Sequence, residues 1–413
     1  MAVKPGYKLT EVGVFPEEWE VKPLKRISPS QSVGLVINPS TYFDKAGSVP
    51  LLVGSNISEN AIDSTKSNRI TKASNELLSV SRLVAGDLVT VRVGEPGITA
   101  VIPPELDGCN CASMMIVRRH PSFDSRWLCS MMNSRHGRKQ VEHVQYGTAQ
   151  KQFNISDAVE FLYPVPPLPE QRAIATVLTD VDALLDALER LLAKKRDLKH
   201  AAMQQLLTGQ NRLPGFDGEW EVMQLGEVAT FLKGTGLPKS ALVPDGRDLC
   251  VHYGELFTRY PETIGEIFSR TNGVGDSFRS VANDVLMPTS DVTPRGLAKA
   301  SCVTIDGVIL GGDILVIRSD KQRVFGPFLS YIIRREESQV LRLVTGSTVY
   351  HLYGSEMKKF SFSLPPLTEQ VAITAVLSDM AAELAVLEKR LAKTRALKQG
   401  MMQELLTGRT RLV

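Results

Sequence analysis

At 413 residues the chain is too long for one ordinary domain, and two to four units are expected. Hydrophobic residues at 43% and charged residues at 23% describe a folded globular protein, which excludes a disordered chain, a collagen-like chain and a disulfide-stapled miniprotein. A net charge of +3 permits nucleic-acid binding through local patches without demanding it.

The N-terminal MAVKPGYKLT lacks the apolar core of a secretory signal, and no stretch approaches about 18 uninterrupted apolar residues. A cytoplasmic protein with no membrane partner is therefore expected. Phe15 to Ile27, FPEEWEVKPLKRI, opens the first globular region. Short strands are expected at Val49 to Val53, Leu88 to Val93, Ile98 to Ile102 and Met114 to Val117, separated by Gly and Pro breaks. Cys109 and Cys111 are too close for a usual zinc knuckle. The five cysteines contain no CxxC pair, so free buried thiols and no metal are expected. A short helix is expected near Phe123 to Asn133. A small-residue loop, Tyr146-Gly147-Thr148-Ala149-Gln150-Lys151-Gln152, closes the region.

A long helix follows. Pro166-Pro167-Leu168-Pro169 ends an extended stretch, Glu170 suits the positive end of a helix dipole, and Gly209 stands where a C-cap glycine would. The apolar positions Ile174, Leu178, Val181, Leu185, Leu188 and Leu192 recur in steps of four and three, a coiled-coil seam. Val177, Leu184 and Leu191 widen that apolar face, for a docked subunit or for the neighbouring globular region.

The chain then repeats itself. Residues 365–412 align with 166–213 at a shift of 199 without a gap, and 28 of 48 positions are identical. Phe216 to Val228, FDGEWEVMQLGEV, echoes the earlier domain start. Strands are expected at Val303 to Leu310 and Ile314 to Ile317, and a helix near Phe325 to Arg335. The loop Thr345-Gly346-Ser347-Thr348-Val349-Tyr350-His351 precedes the second long helix, whose seam is Ile373, Leu377, Met380, Leu384, Leu387 and Leu391. The boundaries are 1–165, 166–213, 214–364 and 365–413. A helix of about 38 residues, roughly 57 Å long, cannot leave such a stripe exposed. Its simplest partner is the other helix. The second copy stops about where the first begins, so a closed, pseudo-two-fold ring with neighbouring termini and antiparallel helices is expected.

Catalytic signals are missing. No methyltransferase tetrapeptide of the NPPY type appears. Gly234-Thr235-Gly236-Leu237-Pro238-Lys239-Ser240 departs from a phosphate loop because Pro238 replaces the glycine whose amide would wrap the phosphate. Glu20-Val21-Lys22 resembles the tail of a nuclease metal site, but its counterpart Glu221-Val222-Met223 lacks the lysine, which favours a structural role.

Binding signals remain. Arg118, Arg119, Arg126, Arg135, Arg138 and Lys139 form a basic cluster, with Arg318, Lys321, Arg323, Arg334 and Arg335 at similar places in the second copy. Such a cluster serves phosphate attraction or a solvated face. Arginine suits guanine, and Asn or Gln suits adenine. The candidates for DNA contact are thus Asn68, Arg69, Arg92, Arg118, Arg119, Arg138, Lys139, Gln150, Lys151 and Gln152 in the first region. In the second they are Arg259, Tyr260, Arg279, Arg295, Thr348, Tyr350 and His351.

PPLPEQRAIATVL with its copy PPLTEQVAITAVL, the two LLTG ends and the two EWEV starts resemble the specificity subunits of type I restriction–modification systems. The resemblance covers the whole chain. It implies an α+β protein in which two mixed α/β target-recognition domains are separated by an antiparallel helix pair. Each domain would read one half of a bipartite double-stranded DNA site. The helices would set the spacer and dock two methyltransferase subunits that methylate adenine N6. Restriction subunits would add ATP-driven translocation and cleavage. The chain itself would catalyse nothing and hold no cofactor; S-adenosylmethionine, ATP and Mg2+ would belong to its partners. A coiled-coil protein scaffold and a stand-alone endonuclease are the rival readings, and neither explains the duplicated layout.

Overall fold

The computed structural model describes residues 4–272 and 276–412, so the first three residues of the leader and Val413, the end of the second copy, lie outside the described residues. The chain forms two compact units. One comprises residues 1–189 with 389–413, and the other residues 190–388. The sequence boundaries set the helices apart from the globular regions. Spatially, each globular region instead packs with half of each long helix.

In the first unit a four-stranded antiparallel sheet has the order Thr99–Val101, Leu88–Val91, Met114–Val117, Gln31–Val33. A three-stranded sheet sets Val49–Leu52 between Asn110–Cys111 and Asn68–Ile70. Glu20–Pro23, from the EWEV element, pairs with Leu162–Val165, the strand that leads into the first long helix. The expected helix is Ser125–Asn133, and a second that the sequence reading missed, Arg135–Val144, abuts it. Ser134 ends one and caps the other, and a Cβ on Gly137 would lie 2.3 Å from the Met132 carbonyl, so the junction admits only glycine. The core gathers Trp19, Trp127, Phe153 and Tyr163 with Ile174 and Leu178 of the first long helix and, at the end of the second, Leu405 and the following Leu406.

The second unit follows the same plan. Its main sheet runs Ala229–Lys233, Ile314–Ser319, Asp284–Pro288, Ser301–Val303, Thr263–Ile264. Glu221–Gln224 pairs with Ser361–Leu364. The single strand expected over Val303 to Leu310 is in fact two, Ser301–Val303 and Ile309–Leu310, in different sheets. The turn at Gly307, with φ of +78°, divides them. Gly326–Arg335 is followed by an unforeseen Glu337–Leu343.

The long helices are Leu168–Leu206 and Leu367–Leu405, 39 residues each. They pair antiparallel within each unit. In the first, Asp182 meets Lys398, and Glu189 meets Arg395 at 2.6 Å. In the second, Lys195 meets Glu383 at 2.7 Å and Arg196 meets Glu388 at 2.6 Å. Seam residues Ile174, Leu178, Leu188, Leu192, Ile373, Leu377 and Leu391 are buried. Val181, Leu185, Met380, Leu384 and Leu387 are half-buried. The second helix contains a window of mean hydropathy 1.5 and by length and composition alone could cross a membrane. Here its Ile373 and Leu377 are sealed in the second core.

A duplicated latch explains the near-constant sequence. Glu170 is 2% exposed. It accepts a hydrogen bond from Trp19 Nε1 at 3.0 Å and two from Arg411 at 2.6 and 2.9 Å. Glu369, fully buried, accepts from Trp220 Nε1 at 3.1 Å and from Arg212 at 2.5 and 2.6 Å. The glutamines beside them do matching work. Gln171 accepts from the Asp124 amide and donates to the Pro166 carbonyl; Gln370 accepts from the Phe325 amide and donates to the Pro365 and Arg323 carbonyls. Glu-Gln, Trp and the late Arg are thus one device, fastening a helix start to its domain and to the end of the other helix. The latch also brings together the two ends of the chain within the first unit, where the Tyr7 hydroxyl donates to the Gly408 carbonyl at 2.8 Å.

All five cysteines are free and buried. Burial pushes Cys250 up to about 11 and Cys109 up to about 12, and raises Cys111, Cys129 and Cys302 further. At pH 8 a disulfide thiol reagent should label none of them in the folded chain and all five in denaturant. Rapid labelling of any one in the folded chain would contradict this burial.

Candidate nucleic-acid interface

The two small-residue loops are the same structure built twice. In the first unit the Tyr146 and Gln152 amides and carbonyls bond reciprocally at 2.9 Å. In the second, Thr345 and His351 do so at 2.9 and 2.8 Å. Gly147 has φ of +97° and Gly346 φ of +104°. A Cβ would stand 2.3 Å from the Gln150 carbonyl oxygen in one and 2.2 Å from that of Val349 in the other. Only glycine closes this loop without strain. The loop ends then pair with a short strand that the sequence reading did not separate from its neighbour. Lys151–Gln152 pairs with Val93–Gly94, and Tyr350–His351 with Ser290–Asp291. In each unit two turns are therefore fused into one ribbon. The Gly94-Glu95-Pro96-Gly97 tetrapeptide is the sequence signal that could have marked the first of them.

The ribbons present different side chains. Gln150 and Lys151 are exposed and Gln152 half-buried in the first; Thr348 is exposed and Tyr350 and His351 half-buried in the second. Beside the second ribbon lies a cleft of about 910 Å³ lined by Thr230, Lys233, His351, Tyr353 and Lys358. Its His351 and Tyr353 rings stack at 6.0 Å. Ammonium groups and stacked rings around one cleft suit a polyanion that carries aromatic bases.

The remaining candidates divide. Asn68, Arg69, Arg119 and Lys139 are exposed, with Arg69 reaching the Ser48 carbonyl at 3.0 Å. Arg92 and Arg138 are half-buried beside the first ribbon. Arg259 is exposed but held by Glu255 at 3.0 Å and stacked over Phe268. Arg279 pairs with Asp248 at 3.0 Å, and Arg295, 83% exposed, touches Glu337 at 3.3 Å. Two candidates depart from the expected surface role. Tyr260 is 5% exposed and belongs to the core. Arg118 donates to buried Asp87 at 2.7 Å and to the Arg82 and Val80 carbonyls, so its guanidinium is consumed inside the domain. Its counterpart Arg318 clamps buried Asp284 at 2.7 and 2.8 Å. Part of the recurrence of basic residues is thus a duplicated internal ion pair. Arg334, held by the Ala300 and Tyr260 carbonyls, is another structural member. Among the described residues no three His, Cys, Asp or Glu gather as metal ligands would.

Residues 217–394 match the family model of the type I restriction modification DNA specificity domain. That segment, which covers nearly all of the second globular region, thus resembles a type I DNA specificity domain. The chain is 24% identical, over 98% of its length and 97% of the relative's, to the MjaX type I restriction enzyme specificity subunit of Methanocaldococcus jannaschii. Its fold is that of the type I S subunit of M. genitalium, with a TM-score of 0.62, 13% identity and 98% of both chains covered. A chain from a structure of type I R-M complex assembly gives 0.53 at 18% identity, covering 95% of this chain and 99% of that one. These matches give residues 217–394 the signature of a type I DNA specificity domain and the whole chain the fold of type I S subunits.

Gly147→Ala should weaken sequence-specific DNA binding about ten-fold or more, because the added methyl forces open a loop that costs roughly 1–3 kcal/mol to distort. The melting temperature should fall by only a few degrees, at about 2–4 °C per kcal/mol for a unit of this size. Binding assays and thermal melts of the complete complex check both, and unchanged binding would remove this loop from the interface.

Proposed function

We propose that each unit of this subunit reads one half of a bipartite duplex DNA site through its ribbon of fused turns. The observation that carries this is the pair of ribbons: one backbone, closed by the same glycine and the same two hydrogen bonds, carrying Gln150, Lys151 and Gln152 in one unit and Thr348, Tyr350 and His351 in the other. A constant frame with changed side chains is what two readers of different base sequences require. The helix pair sets the spacer. A 39-residue helix is about 58 Å long, more than one DNA turn of about 34 Å.

The same helices dock two methyltransferase subunits, which methylate adenine N6 and supply the S-adenosylmethionine site. Restriction subunits bring ATP and Mg2+. Leu184 and Leu191, 41% and 40% exposed, stay uncovered in their respective units, which supports the docked-subunit reading of the wider apolar face. Free buried thiols suit a reducing cytoplasm.

Exchanging residues 214–364 for the same region of a relative, and sequencing the methylome of a host carrying the cognate methyltransferase, should change one half of the modified motif and leave the other intact. Change in both halves would refute independent reading.

A further inference from the structure

Arg92 and Arg138 are two half-buried guanidiniums of the first unit, and neither has a side-chain hydrogen bond or ion pair among the described residues. Arg92 Nε and Arg138 Nη1 are both fully enclosed and unpartnered. Arg335, the other arginine with an enclosed unpartnered Nε, is neutralised by Glu336 at 2.5 Å. Both arginines border one turn. Arg92 opens the turn whose far end, Gly97, donates back to the Val91 carbonyl, and a Cβ on Gly97 would lie 3.0 Å from Arg138 Nη1. Glu95, in the same turn, is exposed and pairs with neither. Burying part of a guanidinium without a protein acceptor is costly, and the nitrogens of each group that are not enclosed are where a ligand could supply one.

The second unit shows what the frame does without this need. The Phe153 amide donates to the Arg92 carbonyl, and the Leu352 amide donates to the Thr289 carbonyl, which puts Thr289 at the register of Arg92. Gln140 caps the Leu162 amide as Gln339 caps that of Ser361, which puts Glu337 at the register of Arg138. Glu337 is satisfied by Arg295 at 3.3 Å. At these two positions the first unit thus carries two uncompensated positive charges, and the second carries a threonine and a compensated carboxylate.

Resting on the proposed reading of DNA by the two ribbons, we infer that Arg92 and Arg138 together receive an acceptor-only group of DNA in the half-site read by the first unit, and that the second unit has no equivalent. The acceptor is a guanine edge or a backbone phosphate. The chemistry is shared, because the planar guanidinium fork matches the O6/N7 pair and the phosphate oxygens alike.

The test uses R92M, R138M and the double variant, each assembled with the methyltransferase subunits, on a duplex of the motif that the wild-type complex methylates. Each variant should bind about ten-fold or more weakly and melt at no lower temperature, because an unpaired charge has been removed rather than a contact. A methylome relaxed at one base of one half-site, with matching sensitivity to 7-deazaguanine at that base, assigns the acceptor to guanine. An unchanged motif, a salt slope shallower by about one and sensitivity to methylphosphonate assign it to phosphate. Wild-type binding in all variants overturns the pair alone. Binding lost together with several degrees of melting temperature makes it structural and overturns it too. A wild-type complex that binds no duplex specifically overturns the pair together with the reading it rests on.

Discussion

Glu170→Ala should lower the melting temperature of the chain by roughly 5–10 °C. The carboxylate is 2% exposed and holds the indole of Trp19 and the guanidinium of Arg411. Its removal strands a fully buried indole N–H and a cation whose side chain is 23% exposed. Breaking a buried pair from one side costs about 3–5 kcal/mol, and the partial exposure of Arg411 reduces this to about 2–3 kcal/mol. For a folding unit near 200 residues, each kcal/mol moves the midpoint by about 2–4 °C. Glu170→Gln should recover little, because a neutral amide cannot compensate the guanidinium. Arg411 is held above its ordinary value by its hydrogen bonds to Glu170 and Glu18. A raised cation contributes fully below its unfolded value and loses that contribution only as pH rises through the folded one. The Arg411 contribution is therefore flat across the neutral range. Calorimetric scans of the single and double variants check this; a shift under one degree for Glu170→Ala would mean the latch is idle.

Adding one helical turn to both long helices should lengthen the DNA spacer. Four residues after Lys194, matched by four after Arg390, advance each helix by about 6 Å and rotate it by about 40°. One base pair advances about 3.4 Å and turns about 34°, and two advance about 6.8 Å and turn about 69°. Rotation favours one added pair and rise favours two, so a spacer longer by one or two is expected, with both half-site sequences kept. The modified motif in a methylome reads this directly. An unchanged spacer would argue against the helices as its measure.

Much of this architecture was legible because duplication turns one sequence into two witnesses. The 199-residue shift picks out Glu170 and Glu369, Gln171 and Gln370, and Gly147 and Gly346, which the folded chain uses in pairs. Helix periodicity marked the seam, and Met114–Val117 was legible as a run of apolar residues between breaks. What stayed hidden depends on distant partners. Nothing near Arg118 in sequence announces Asp87, and nothing near Tyr260 shows that it is enclosed. Arg135–Val144 was obscured by its basic residues, because its helical signal rests on Val141 and a serine cap. Charge alone does not separate an arginine clamped inside the domain, such as Arg118, from one left without a protein partner, such as Arg92.

The order in which the pieces leave the ribosome has a consequence of its own. The second unit is a continuous stretch, residues 190–388, and can close as soon as that stretch has emerged. The first is interrupted: its interior is completed by Leu405, Leu406 and Arg411, made some 200 residues after its own sheets. At about 5–20 residues per second the N-terminal half waits roughly 10–40 s, unfinished, for its last wall. A stop codon at Lys389 should therefore cripple the unit that holds residues 1–189 and spare the one that holds residues 190–388.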